Sequence, residues 1–161
     1  MSKNNSKEDL VQELSILTDQ ELVRLKKWRT LKEEGVNLFP HRAEITHSVS
    51  QVKKEFESLS ADELEREEIK VVVPGRILTV RKMGRATFFH LGDALTRLQA
   101  YLRQDKVGSE EYQRFSLLDI GDIISVQGRL FRTRTGGLTV LVEKYAFLAK
   151  CFHPLPEKWH G

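Results

Sequence analysis

Phe88, Gln99 and the arginines around them are the residues of this sequence whose types and spacing bear on chemistry, and that chemistry is recognition rather than bond-making. In residues 97–103, Leu98, Ala100 and Leu102 recur with period two and belong to one buried face, so Arg97, Gln99, Tyr101 and Arg103 point the other way. The same alternation in residues 87–91 puts Phe89 and Leu91 inside and leaves Phe88 and His90 outside. A single-stranded base needs a flat apolar surface to stack on and an amide able to pair with its edge. Stacking is worth about 1–3 kcal/mol per base, and arginines add attraction for phosphate. Arg81, Lys82 and Arg85 near the first strand turn could supply that attraction, as could Arg129, Arg132 and Arg134 near the last. The competing reading packs Phe88 against the N-terminal helices and leaves the arginines solvated.

Catalytic constellations are poor. Cys151 and His153 stand two apart, but no further residues at ligand spacing complete a closed zinc site. His41, His47, His90, His153 and His160 are scattered, and no Gly-rich phosphate loop occurs. Nothing has the form of a Ser/His/Asp or Cys/His arrangement. No catalytic residue and no metal ligand is therefore expected. A single cysteine cannot form an internal disulfide, which fits a reducing, cytoplasmic setting.

The recognition residues need strands to present them. Residues 70–82, 87–91, 97–103, 123–133 and 138–148 are short runs rich in β-branched and aromatic residues, punctuated by Gly84, the Asp93 region and the pair Gly136 and Gly137. Residues 109–118, between the third and fourth runs, have a helical pattern. Three strands, a helix and two more strands in about 80 residues is the layout of an OB-fold, a small Greek-key barrel.

Residues 1–69 have the signals of helices instead. Ser6 with Asp9, Thr18 with Glu21, and Ser60 with Glu63 all have the capping spacing. Leu22, Leu25, Trp28 and Leu31 form an apolar stripe expected to pack on the core, and Gly35 and Pro40 stop that helix. Residues 36–47 are expected to be an extended connector. A helix follows over 48–59 with Val49, Val52 and Phe56 on one side, then a short acidic helix ending near Glu68. The expectation is an α+β chain: a helical region over 1–69, a five-stranded OB-fold over 70–150, and a linker over 151–161.

Composition agrees with a globular chain. Of 161 residues, 40% are hydrophobic and 30% charged, and no apolar run approaches the roughly 18 residues that span a bilayer. The start, MSKNNSKEDL, lacks the apolar stretch of a secretory signal. The net charge of +3 hides a division. Up to Ile69 there are 11 Lys and Arg against 15 Asp and Glu, a balance of −4; from Lys70 onward there are 15 against 8, a balance of +7. The basic part is the part expected to be a barrel, which points to a polyanionic partner.

Several stretches resemble the N-terminal region of class II lysyl-tRNA synthetases. They are GRILTVRKMGRATFFHLGD (75–93), RLQAY (97–101), LDIGDIISVQGRLFRTRTG (118–136) and PLPEKWHG at the end, preceded by RLKKWRTLKEEGVNLFPHR (24–42). The resemblance is collinear over residues 22–161. It implies an OB-fold that binds the anticodon of a lysine-type tRNA, with Phe88 stacking on a base, Gln99 reading it and Arg76 contributing from the first strand. ATP and Mg²⁺ would belong to a separate catalytic domain that this chain does not include, as would the homodimer contacts, so no cofactor and no aminoacylation are expected of this chain alone. The family generally has a glutamate where Gly137 stands, in contact with an outer anticodon base, and a glycine in the place of Thr96. The alternative is a truncated synthetase paralogue that binds nucleic acid or holds a protein partner through Trp28, Phe152 or Trp159.

Overall fold

In the computed structural model, residues 19–33, 43–93 and 95–151 are described. Among the described residues three helices precede the barrel: α1 (Asp19–Glu33), α2 (Val49–Phe56) and α3 (Ala61–Glu67). The barrel runs β1 (Lys70–Met83), β2 (Ala86–Gly92), β3 (Arg97–Arg103), the helical turns α4 (Gln104–Val107) and α5 (Ser109–Phe115), β4 (Ile123–Arg132) and β5 (Leu138–Ala149). The strands close in the order β1-β2-β3-β5-β4, with β3 and β5 parallel and every other pair antiparallel. This is the expected helices followed by a five-stranded barrel.

The caps explain where α2 and α3 begin. The Ser48 hydroxyl accepts the Gln51 N–H while the Gln51 side chain accepts the Ser48 N–H, and the Ser60 hydroxyl accepts the Glu63 N–H at 3.2 Å. Helix α2 ends at Phe56, short of the expected 59, because Leu59 N–H turns back to the Phe56 carbonyl. Val49, Val52, Phe56 and Leu64 bury the apolar sides of these two helices in the core. The caps at Ser6 and Thr18, the stop at Gly35 and Pro40, and the linker over 152–161 lie outside the described residues.

Helix α1 is tied to one end of the barrel. Trp28 packs against Phe147 with ring centroids 4.9 Å apart, so it is a packing residue rather than an exposed partner-binding one. Lys27 Nζ lies 2.7 Å from Asp119, and Arg24 Nη1 donates to the Cys151 carbonyl at 2.9 Å. Asp119 and Asp122 in turn receive Lys150 Nζ at 2.6 and 2.9 Å. Fully buried Asp122 also accepts the N–H groups of Asp119 and Cys151. The two lysines hold the Asp119 carboxyl below its ordinary range despite the upward push of burial.

Inside the barrel, Val71, Val73, Ile77, Phe89, Leu91, Leu98, Ala100, Leu102 and Leu130 make the core with Ile124, Val126, Val140 and Val142. Helix α5 closes one end through Phe115 and through Glu111, whose carbonyl accepts the buried Tyr145 hydroxyl at 2.7 Å. Burial and the nearby Glu111 carboxylate push the Tyr145 phenol well up. At Gly128 a Cβ would come within 1.9 Å of the Leu141 carbonyl oxygen, so only glycine permits β4 and β5 to approach there. The β2–β3 turn is built on Asp93 and needs no glycine at Thr96. The Asp93 carboxylate accepts the N–H groups of Leu95 and Thr96 at 2.9 and 3.0 Å, and Thr96 needs no positive φ. The same carboxylate takes Ser50 N–H at 3.0 Å, which ties the turn to α2.

Candidate nucleic-acid interface

Alternation along β2 and β3 is realised as expected. Thr87, Phe89 and Leu91, with Leu98, Ala100 and Leu102, are buried, and Phe88, His90, Arg97, Gln99 and Tyr101 stand on the outward side, half-buried. The cross-strand register pairs Phe88 with Tyr101 and His90 with Gln99, so Phe88 and Gln99 are diagonal neighbours on one face. Phe88 is not bare. Its ring stacks on Tyr101, with centroids 4.3 Å apart and planes 14° from parallel, and Tyr101 leans on Phe131 at 6.2 Å. Phe88 thus has an aromatic partner within the barrel itself. One face of Phe88 is covered by Tyr101.

A polar row lies beside the pair along the strands. Gln99 Oε1 accepts the Thr139 hydroxyl at 3.0 Å, and His90 Nδ1 lies 2.6 Å from the Thr79 hydroxyl. Burial, then Arg97 and Lys53, lower the His90 pKa, so the ring is neutral at pH 7 and its Nδ1 can accept from Thr79.

The cations stand in different settings. Arg81 is the cross-strand partner of Phe88, Arg85 sits in the Gly84–Arg85 turn beside Tyr101, and Arg134 lies on the 133–137 loop next to Gln99; all three are exposed. Lys82 pairs with inward Thr87 and lines a cleft against Tyr112 and Phe115 of α5, away from the Phe88 face. Arg132 is a clamp rather than a free cation. Its Nε donates to the Leu59 carbonyl and Nη1 to the Gly136 carbonyl, both at 2.8 Å, while Nη2 donates to the Glu57 carbonyl. Arg129 pairs with Lys70 on one side and Leu141 on the other. Arg76 is placed at the far end of the β1–β2 pair, opposite Gly92, and its Nη1 donates to the Gly121 carbonyl at 2.8 Å. A bulge at Leu78 shifts the register between Ile77 and Thr79, so that Arg76 and Thr79 both stand off the buried face.

Tyr101 and Thr139 are the residues of this face that pattern did not single out. Tyr101 was legible as outward, but its ring contact was not. Thr139 follows Leu138 and precedes Val140, and a threonine in such a run signals only strand propensity.

Residues 71–148 match the family described as OB-fold nucleic acid binding domain. The barrel is an OB-fold nucleic acid binding domain. Around this OB-fold the chain is similar to lysine–tRNA ligases. It is 42% identical over 151 residues to that of Lysinibacillus sphaericus, 94% of this chain and 30% of the relative. With that of Thermosipho melanesiensis it shares 42% over 139 residues, covering 86% and 28%, and with that of Bacillus cytotoxicus 41% over 145 residues, covering 90% and 29%. The chain thus spans about 30% of the length of the curated relatives it matches. Among the described residues, no group of three or more His, Cys, Asp and Glu is placed to hold a metal ion, and no helix is long and apolar enough to cross a membrane.

Proposed function

We propose that the outward face of β2 and β3 binds the anticodon of a lysine-type tRNA, and that the chain serves translation through that contact. One base stacks on the face of Phe88 opposite Tyr101, Gln99 pairs with its edge, and Arg81, Arg85 and Arg134 meet the flanking phosphates. Arg76 braces the 119–122 turn through the Gly121 carbonyl and acts on the site from its rim. The observation that carries this reading is the Phe88–Tyr101 stack, diagonal to Gln99 on the basic barrel of an OB-fold nucleic acid binding domain. The similarity to lysine–tRNA ligases supports a lysine-type tRNA as that RNA.

The test is the affinity of the chain and of Phe88→Ala for an anticodon stem-loop across a salt series. Stacking makes Phe88→Ala cost about 1–3 kcal/mol. Unspecific phosphate binding instead leaves the variant nearly silent and shows only a salt slope, about −0.7 per phosphate neutralised on a single strand. A silent Phe88→Ala overturns the proposal.

A further inference from the structure

Thr139 is fully buried on β5, where the parallel pairing of β3 and β5 sets it opposite Gln99. Its hydroxyl oxygen lies 3.0 Å from Gln99 Oε1 and 3.1 Å from the Gly137 carbonyl oxygen. A hydroxyl has one proton to give. The Gly137 carbonyl has a donor of its own in the Thr133 N–H at 3.0 Å, whereas the Thr139 hydroxyl is the donor that faces Gln99 Oε1 among the described residues, and giving its proton there leaves both oxygens satisfied. We propose that Thr139 is a positioning residue that locks the Gln99 amide with its oxygen turned inward and its NH₂ turned outward. The outward edge of the site is thereby a hydrogen-bond donor. This inference rests on the base-reading role of Gln99 proposed above.

The consequence is a choice between pyrimidines. Uracil offers the O4 acceptor where cytosine offers an amino donor, so an outward NH₂ favours uracil and opposes cytosine. A free amide could turn over and accept from cytosine instead. Gly137 keeps the locked orientation open. A Cβ there would stand 3.3 Å from Gln99 Oε1 and 3.3 Å from Thr133 Oγ1, in the space beside the inward oxygen.

The experiment measures the affinity of the 161-residue chain for two anticodon stem-loops that differ only in a central uridine or cytidine. The wild type, Thr139→Val, Thr139→Ser, Gln99→Ala and the Gln99→Ala/Thr139→Val double variant are compared. The wild type is expected to prefer uridine by about tenfold, the discrimination of one satisfied against one unsatisfied polar edge. Thr139→Val is expected to lose most of that ratio, weakening the uridine loop and strengthening the cytidine loop, while Thr139→Ser keeps it. The double variant is expected to lose no more than Gln99→Ala. A packing role would lower both loops equally and add to Gln99→Ala, and either result overturns the proposal. Should Thr139→Val not fold, Gly137→Ala presses on the same oxygen from the other side and must lower the ratio too. A ratio that survives in the folded variant overturns this inference alone, whereas a wild type without preference overturns the base-reading proposal with it.

Discussion

His90 stands beside the reading position as a neutral ring, and its protonation couples pH to the stability of the face. Its folded pKa lies below the ordinary 6.5, chiefly through burial and then through Arg97 and Lys53. The unfolded chain therefore takes up a proton first as pH falls below about 6.5, and stability declines from there until the folded ring also titrates. Above 6.5 the ring is neutral in both states and contributes no slope. Urea unfolding followed from pH 8 to 5 is expected to show this loss in the wild type and a flatter profile in His90→Gln; equal slopes would contradict the assignment. Phe88 and Gln99 were legible as outward because a period of two leaves no other place for Leu98, Ala100 and Leu102. Thr139 was not, since its partner Gln99 lies on a parallel strand distant in sequence, and local pattern carries no inter-strand register.

At the level of elements, all five strands were legible from β-branched runs and glycine punctuation, with β3 at its expected bounds. What pattern missed has local physical causes. The turn α4 spans only four residues, too few to show a helical period, and the bulges of β5 opposite Ile123–Ile124 and Gln127–Gly128 depend on the pairing of two strands. Gly128 is where that pairing is tightest. Gly128→Ala drives a Cβ against the Leu141 carbonyl and is expected to destabilise the barrel by about 3 kcal/mol or more, measured by urea denaturation. An unchanged midpoint would show that β4 and β5 are not this close. Asp122 ties three segments. Asp122→Ala removes the acceptor of the Asp119 and Cys151 N–H groups and leaves Lys150, whose side chain is 3% exposed, with Asp119 alone. Breaking a buried pair in this way is expected to cost about 3–5 kcal/mol, read as a lowered unfolding free energy. A loss under about 1 kcal/mol would mean that the cluster is solvated. The Asp119 carboxyl, held below 3.8 by Lys150 and Lys27, adds stability above that pH, and this contribution is lost as pH falls further.

For the molecule as a whole, charge and fold divide in the same place. The +7 part begins at Lys70 with β1, and the −4 part is the region containing α1 to α3. Basic composition explains attraction to a polyanion but not the choice of one, because phosphate contacts carry no sequence information. On the proposed reading, choice comes from the aromatic pair and the oriented amide, while Lys82 lines the α5 cleft and Arg132 clamps Leu59, Glu57 and Gly136. The most direct measurement is the affinity of the wild-type chain for a lysine-type anticodon stem-loop with central uridine, against the same loop with that base changed to cytidine, at one fixed salt concentration. The uridine loop is expected to bind about tenfold more tightly. Equal affinities would contradict the account.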